Sequence, residues 1–263
     1  MQKNRNEVNE MIYDLQKASM WKRASAFLFD VIILGILVVG IAAAMSSILG
    51  YDKYMGQVDE AYAQYETQYG IDFEISQDDF NKLTKEEQDN WWAAYDALIK
   101  DKDAMYAYNM VVNLTMVIAT TGFLLAFLIL EFAIPMILKN GQTLGKKIFG
   151  IGVMRVDGVK VVGPLMFIRT VLGKFTIETM IPIFIAMMIF FGSVGLEGTI
   201  ILGLILLVQV ILMIKTQTNS AIHDVLAKTV VIDVASQMIF DSEADLIAYK
   251  EKAHAEKAAR QAY

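Results

Sequence analysis

Three long apolar runs constrain the fold of this chain more than any other feature. They have 26, 28 and 35 residues with one charged side chain each, and they cover residues 24–49, 111–138 and 180–214. About 20 apolar residues in a helix suffice to cross the hydrocarbon layer of a bilayer. The chain as a whole is 56% hydrophobic, with a mean hydropathy of +0.43. The sequence therefore predicts an integral membrane protein that crosses the bilayer several times.

The third run is predicted to hold two helices. At residues 192–198 the sequence GSVGLEG places three glycines among seven residues, which favours a turn over one very long helix. Four spans result, so both termini lie on one side of the membrane. Lysine and arginine in short loops favour the cytoplasm, and the basic clusters fall before the first span, after the second and after the last. Both termini are therefore predicted to be cytoplasmic.

The predicted fold class is an all-α membrane protein. It has about four transmembrane helices, a small cytoplasmic β-hairpin or sheet and an extracytoplasmic helical insertion. The predicted segments are a cytoplasmic N-terminal segment (1–22), the first span (23–49), an acidic external insertion (50–109), the second span (110–138), a basic cytoplasmic loop with a β-hairpin (139–163), an interfacial helix with the third span (164–191), an external turn (192–198), the fourth span (199–215), and a cytoplasmic strand with a C-terminal helix (216–263).

The segment 50–104 is strongly acidic. It has 14 acidic and 5 basic side chains, a net charge of -9, whereas the whole chain carries -6. Ser76 is a suitable N-cap and acidic residues follow it, which predicts a helix over 76–100. We expect helical extensions of the first two spans that meet as an external hairpin. Trp91 and Trp92 could instead lie at the membrane interface.

The central loop has the pattern of a β-hairpin. IGVMRV and VKVV are β-type runs on either side of Asp157-Gly158, a dipeptide that favours a tight turn. A third β-type run, TVVIDV, follows the last span. The three runs are predicted to pair as a small sheet.

Three segments of the sequence resemble a known family. They are WKRASAFLFD, GQTLGKKIFGIGVMRVDG and AIHDVLAKTVVID, and they are similar in kind and order to motifs of the RDD family of bacterial membrane proteins, named for one arginine and two aspartates. On this resemblance the arginine is Arg23, the first aspartate is Asp30 and the second is Asp224. The resemblance implies a bacterial cell membrane location. It also implies transport, because some members have been linked to sodium/proton antiport.

Asp30 has two interpretations. It follows Arg23 by seven residues, or about 10.5 Å of helical rise, so that the two share a face of the first span. Arg23 can reach the interface, whereas Asp30 lies deeper, where a charge is costly. In one interpretation Asp30 is an ion or proton site, supported by Glu131, Asn113 and Thr115. Arg23 and Asp224 are then counter-charges on the cytoplasmic side. In the other interpretation Asp30 is a structural lock. As a lock it would accept hydrogen bonds from a neighbouring helix, Arg169 or Lys174.

Other polar residues have both a functional and a structural interpretation. His223 beside Asp224 is either a pH-responsive gate or a structural pair. Glu131 is either part of the ion site or an interfacial acid paired with Lys139. Lys139, Lys146 and Lys147 form a basic collar that either binds anionic lipid headgroups or only marks the cytoplasmic side.

No enzyme active site is recognisable, and we expect no cofactor. The sequence contains no cysteine, and one histidine near the membrane is too few for a metal site. GQTLGKK lacks the spacing and the hydroxyl of a phosphate-binding loop, so we expect neither nucleotide nor nucleic acid as a partner. Two functions remain: a small cation or proton transporter, or a non-catalytic assembly or regulatory subunit that docks a partner. The expected partners are the lipid bilayer and either further copies of the chain or another membrane protein.

Overall fold

The structure is a computed structural model that describes residues 15–138 and 140–261. In chain order its elements are α1 (Met20–Leu49), α2 (Tyr51–Tyr69), α3 (Gln77–Phe80), α4 (Lys85–Lys100), α5 (Lys102–Ile137), α6 (Leu144–Ile148), β1 (Ile151–Arg155), α7 (Gly163–Phe190), α8 (Leu196–Lys215), α9 (Ile222–Leu226), β2 (Thr229–Asp233) and α10 (Glu243–Gln261). Within the described residues, α1, α5, α7 and α8 are long and apolar enough to cross a membrane. The predicted four-span, largely helical fold is confirmed.

Two of the spans contain π-helical segments. In α5 the segment is Ile129–Ala133, just before Pro135, and in α7 it is Ile168–Met180. A proline has no N–H to offer to the carbonyl four residues earlier, so the hydrogen bonding of α5 must change at this point. The third span is one continuous helix, Gly163–Phe190, which covers the segment predicted to hold an interfacial helix and the third span.

The sheet is smaller than predicted, and its strands pair differently. β1 pairs with β2 in antiparallel register, with Val153 opposite Val231. The turn at Asp157-Gly158 does form, but the run after it makes only single bridges, Met154 to Lys160 and Val159 to Phe240. The predicted hairpin is therefore wrong in its second strand. The segment that pairs with β1 along its whole length is β2, which begins more than 70 residues after β1 ends.

Both faces of the sheet are covered. One face packs with Ala26 of α1 and Met166 of α7, and the other packs against Leu15 and Ile239. This double burial explains why both strands are apolar without alternation. The sheet is therefore part of the core of its unit.

The chain forms two compact units, residues 1–35 with 127–263 and residues 36–126. In the second unit, the predicted helix over 76–100 is broken. Ser76 caps only the short α3, and Thr84 starts α4 with a reciprocal cap in which Glu87 takes part. Rings of α4 and the segments before it form an aromatic cluster that contains Phe73, Phe80, Trp91, Trp92 and Tyr95.

The short helix α6 docks closely on α1 through a glycine. A Cβ atom added at Gly145 would lie 2.3 Å from the carbonyl oxygen of Ala26 and 2.8 Å from Oδ1 of Asp30. Neither neighbour is the end of a flexible side chain that could move away without breaking a contact. Only glycine therefore permits this approach.

Gly145→Ala should destabilise the protein by about 1–3 kcal/mol, the usual cost of overpacking a well-packed site. The measurement is thermal unfolding in detergent. Gly56→Ala is the control, because nothing lies within 4 Å of a Cβ atom at Gly56 in α2. Equal melting temperatures for the two variants would contradict the docking of α6 on α1.

Candidate functional site

A cluster of ionisable side chains lies inside the unit formed by residues 1–35 and 127–263. It contains four basic groups, four acidic groups and a histidine from α1, α5, α6, α7 and α9, and all of them are largely buried. They are Arg23, Lys146, Arg169, Lys174, Asp30, Glu131, Glu178, Asp224 and His223. Ionised groups at membrane depth are costly unless they are paired. Equal numbers of the two charges permit such pairing.

Asp224 lies between two arginines. Arg169 donates from Nε and Nη2 to Oδ1, at 3.1 and 2.9 Å, and Arg23 donates from Nη2 to Oδ2, at 3.2 Å. Burial by itself would raise the pKa of Asp224, but the positive charges of Arg169 and Arg23 outweigh it and hold this pKa well below its usual range. The carboxylate therefore stays ionised and joins α1, α7 and α9.

His223 is held by a carboxylate of α7. Its Nδ1 lies 2.7 Å from Oε2 of Glu178, and its backbone N–H donates to Oε1 of Glu178 at 2.8 Å. Gly173 makes this approach possible, because a Cβ atom there would lie 2.6 Å from Cβ of His223. Burial lowers the pKa of His223, and Arg169 lowers it further, against the opposing pull of Asp224 and Glu178. The neutral imidazole is therefore favoured at neutral pH.

Asp30 is bonded through both of its oxygens to the start of α6. The hydroxyl of Thr143 donates to Oδ2, and the backbone N–H of Gly145 donates to Oδ1 at 2.8 Å. Asp30 is 4% exposed. This arrangement has the form of a structural lock, with Thr143 and Gly145 as donors where the sequence suggested Arg169 or Lys174.

Glu131 lies at the π-helical turn of α5. Its Oε1 pairs with Lys174, and its Oε2 lies 3.8 Å from Nζ of Lys146. Pro135 cannot donate to the backbone carbonyl of Glu131, and the hydroxyl of Thr170 does so instead, at 3.0 Å. The proline thus frees a carbonyl that joins α5 to α7 beside the charged groups.

A cavity of about 340 Å³ opens onto this cluster. Its volume falls at the lower end of the range for small-molecule sites. Its charged lining comes from α1, α6 and α7: Arg23, Asp30, Lys146, Arg169, Lys174 and Glu178. The cavity is large enough for several waters or a hydrated ion.

The structure separates the predicted site residues into two groups. Arg23, Asp30, Asp224, Glu131 and His223 belong to the cluster. The other two proposed supports, Asn113 and Thr115, are exposed residues of the second unit, and the hydroxyl of Thr115 donates to the backbone carbonyl of Val111.

The predicted basic collar is divided. Lys147 is exposed and free to meet headgroups, but the side chain of Lys146 is only 12% exposed and faces Glu131. The structure therefore corrects the prediction for Lys146, which lies beside Glu131 and not at the surface. Lys139, also predicted as a partner of Glu131, lies outside the described residues.

Sequence reasoning missed most of the contribution of α7. Arg169 and Lys174 were named only as possible hydrogen-bond partners of Asp30, and Glu178 was not singled out. Their spacings of five and four residues bring all three to one side of a helix whose turn is widened by π-type bonding. That spacing of charges within an apolar segment is the signal that could have found them.

The sequence model of the RDD family matches residues 17–228. The chain belongs to the RDD family. The matched region contains the arginine and both aspartates that the resemblance assigned, and it ends before β2 and α10. No curated protein and no solved structure shows a significant match. In this RDD protein Arg23 and Asp224 are in direct contact, whereas Asp30 is bonded to the start of α6.

The donor set does not resemble a metal site. Within residues 15–138 and 140–261, no group of three or more His, Cys, Asp or Glu side chains is arranged to hold a metal ion. The four acidic groups of the cluster are distributed among basic or hydrogen-bonding partners. The arrangement of the cluster is therefore one of ion pairs around a cavity.

Asp224→Asn should cost about 3–5 kcal/mol of stability, because it leaves two buried guanidinium groups without their carboxylate. The matched control is Asp233→Asn, which removes a partly exposed ion pair with Lys22 and should cost at most about 1 kcal/mol. Both are measured by thermal unfolding in detergent. A small effect of Asp224→Asn would show that the two arginines are hydrated in solution.

Proposed function

We propose that this RDD protein exchanges a small cation for protons across the membrane. The observation that supports the proposal is the cavity of about 340 Å³ lined by charged side chains of α1, α6 and α7. Ionisable residues within membrane-spanning helices are expensive, and they commonly mark ion pathways and proton relays. A purely structural cluster has no need of an open cavity beside it.

Charge balance favours exchange over one-way uptake. The cluster has four basic and four acidic groups beside a histidine whose neutral form is favoured. An added cation would leave one positive charge unbalanced at low dielectric, which is unfavourable. The loss of one proton from the cluster restores neutrality. A monovalent cation and a proton can therefore alternate at low cost.

A homo-oligomer is part of the proposal. Four spans beside a cavity of about 340 Å³ make a limited pathway for a single chain. A Cβ atom at Gly35 in α1 or at Gly203 in α8 would meet nothing within 4 Å, which leaves room for a helix of another copy to approach.

The alternative function, a non-catalytic subunit that docks a partner, is favoured by the second unit. Its segment 50–104 carries a charge of -9, and Trp92 and Tyr95 of the aromatic cluster are 55% and 39% exposed. Aromatic residues are enriched at protein interfaces. Folded protein that gives no flux and co-purifies in fixed ratio with one membrane protein would favour this alternative.

Reconstituted protein should alkalinise the lumen of liposomes when sodium is pulsed outside, because sodium enters as protons leave, and a trapped pH-sensitive dye reads this change. Glu178→Gln removes a cavity carboxylate and should reduce the signal to that of empty liposomes. Glu197→Gln, the same change at an exposed acid at the start of α8, should leave it unchanged. No flux from folded wild-type protein would refute the transport proposal.

The proposed topology has cytoplasmic termini in the bacterial plasma membrane and the acidic segment outside. Because the sequence has no cysteine, single cysteines can be placed without background. Asp89→Cys in α4 should react with a membrane-impermeant maleimide in intact cells. Glu251→Cys in α10 should react only after lysis, and the reverse pattern would invert the topology.

A further inference from the structure

Lys146 approaches a buried carboxylate without hydrogen bonding to it. Of the two oxygens of Glu131, Oε1 is bonded to Lys174, whereas Oε2 is buried and has no hydrogen-bond partner within the described residues. Nζ of Lys146 lies 3.8 Å from that oxygen. An unmade hydrogen bond at a buried carboxylate is unusual and costly. Lys146 is thus held beside Glu131 by charge, not by a directed bond.

Lys146 also lines the cavity, so a proton can pass between its amine and the cavity. Four charged groups face it: Glu131 of α5 and Asp30 of α1 attract the ammonium, and Arg169 and Lys174 of α7 repel it. Burial, the largest influence, lowers the pKa of Lys146 to about 8 from an ordinary value of 10.5. Both the charged and the neutral forms are therefore accessible near physiological pH.

We propose that Lys146 carries the proton that this protein exchanges for a cation. This inference rests on the proposed transport function. In the releasing step an N–H bond of the ammonium breaks, the electron pair stays on nitrogen, and the proton passes to water in the cavity. The neutral amine then donates a hydrogen bond to Oε2 of Glu131. In the reverse step the amine takes up a proton from the cavity.

The neighbouring lysines do not fit this role. Lys174 is hydrogen-bonded to Oε1 of Glu131, so its ammonium is engaged directly. Lys147, next in sequence, is exposed on the surface and does not line the cavity. Lys146 combines burial, access to the cavity and the absence of a directed bond.

The first experiment measures sodium-driven proton flux in proteoliposomes from pH 6.5 to 9.5. The rate of proton flux in the wild type should depend on pH, and the midpoint of that dependence should lie near pH 8. Lys146→Arg keeps a positive charge that cannot be released in this range, so proton-coupled flux should be lost. Lys147→Arg, the matched control, should retain the wild-type rate and midpoint. Folding of each variant is checked by its melting temperature.

Retention of proton-coupled flux with the same midpoint in Lys146→Arg would overturn the inference and leave the transport function intact. Absence of flux in the wild type would instead refute transport.

A second measurement needs neither a variant nor flux. Wild-type protein in lipid nanodiscs is acetylated with limiting acetic anhydride at a series of pH values, and mass spectrometry gives the rate at each lysine. Only the neutral amine reacts, so the rate at Lys146 should rise with a midpoint near pH 8. A midpoint near 10.5 would show that Lys146 holds its proton throughout and would overturn the inference.

Discussion

The buried carboxylate of Asp224 is the interaction on which the charged site depends. It receives three hydrogen bonds from Arg169 and Arg23, and so it joins the third span, the first span and the short helix α9 at one point. Each arginine would be costly in this buried position without a carboxylate, and Asp224 would be costly without them. The contact between Arg23 and Asp224 joins two of the three residues that the resemblance assigned to the family motif.

In the rest of the cluster, too, each buried carboxylate has a basic or hydrogen-bonding partner. Glu131 lies between two lysines, Glu178 holds His223, and Asp30 is bonded to the start of α6. Backbone features place these groups: glycine allows α6 to touch α1, and Pro135 frees the carbonyl that Thr170 binds. Of the acidic side chains, only Glu131 has a buried oxygen without a hydrogen bond among the described residues. The oxygen of Glu131 that lacks a hydrogen bond therefore faces Lys146.

Part of this site could be read from the sequence, since a charge within an apolar run is conspicuous. Asp30 and Glu131 were found in that way, and the resemblance added Arg23 and Asp224. Their partners were harder to predict because Lys146, Arg169 and Lys174 also fit the positive-inside pattern of surface residues. Sequence spacing does not distinguish a lysine that extends into water from one that folds back onto a carboxylate. Both strands lie in β-type runs that the sequence predicted, but the hairpin partner assigned to β1 was wrong for a related reason, because its true partner β2 is distant in the chain.

The sequence by itself determined that this protein lies in a lipid bilayer, because only a bilayer accommodates apolar runs of this length. It also determined the number of spans, because a glycine-rich turn divides the third run. It also determined that a few charges lie at membrane depth. The tertiary structure alone decided which opposite charges meet, that Lys146 faces inward while Lys147 faces outward, and that a cavity remains beside them. The reason is that hydrophobic burial depends on local composition, whereas the pairing of charges depends on distances between segments far apart in the chain.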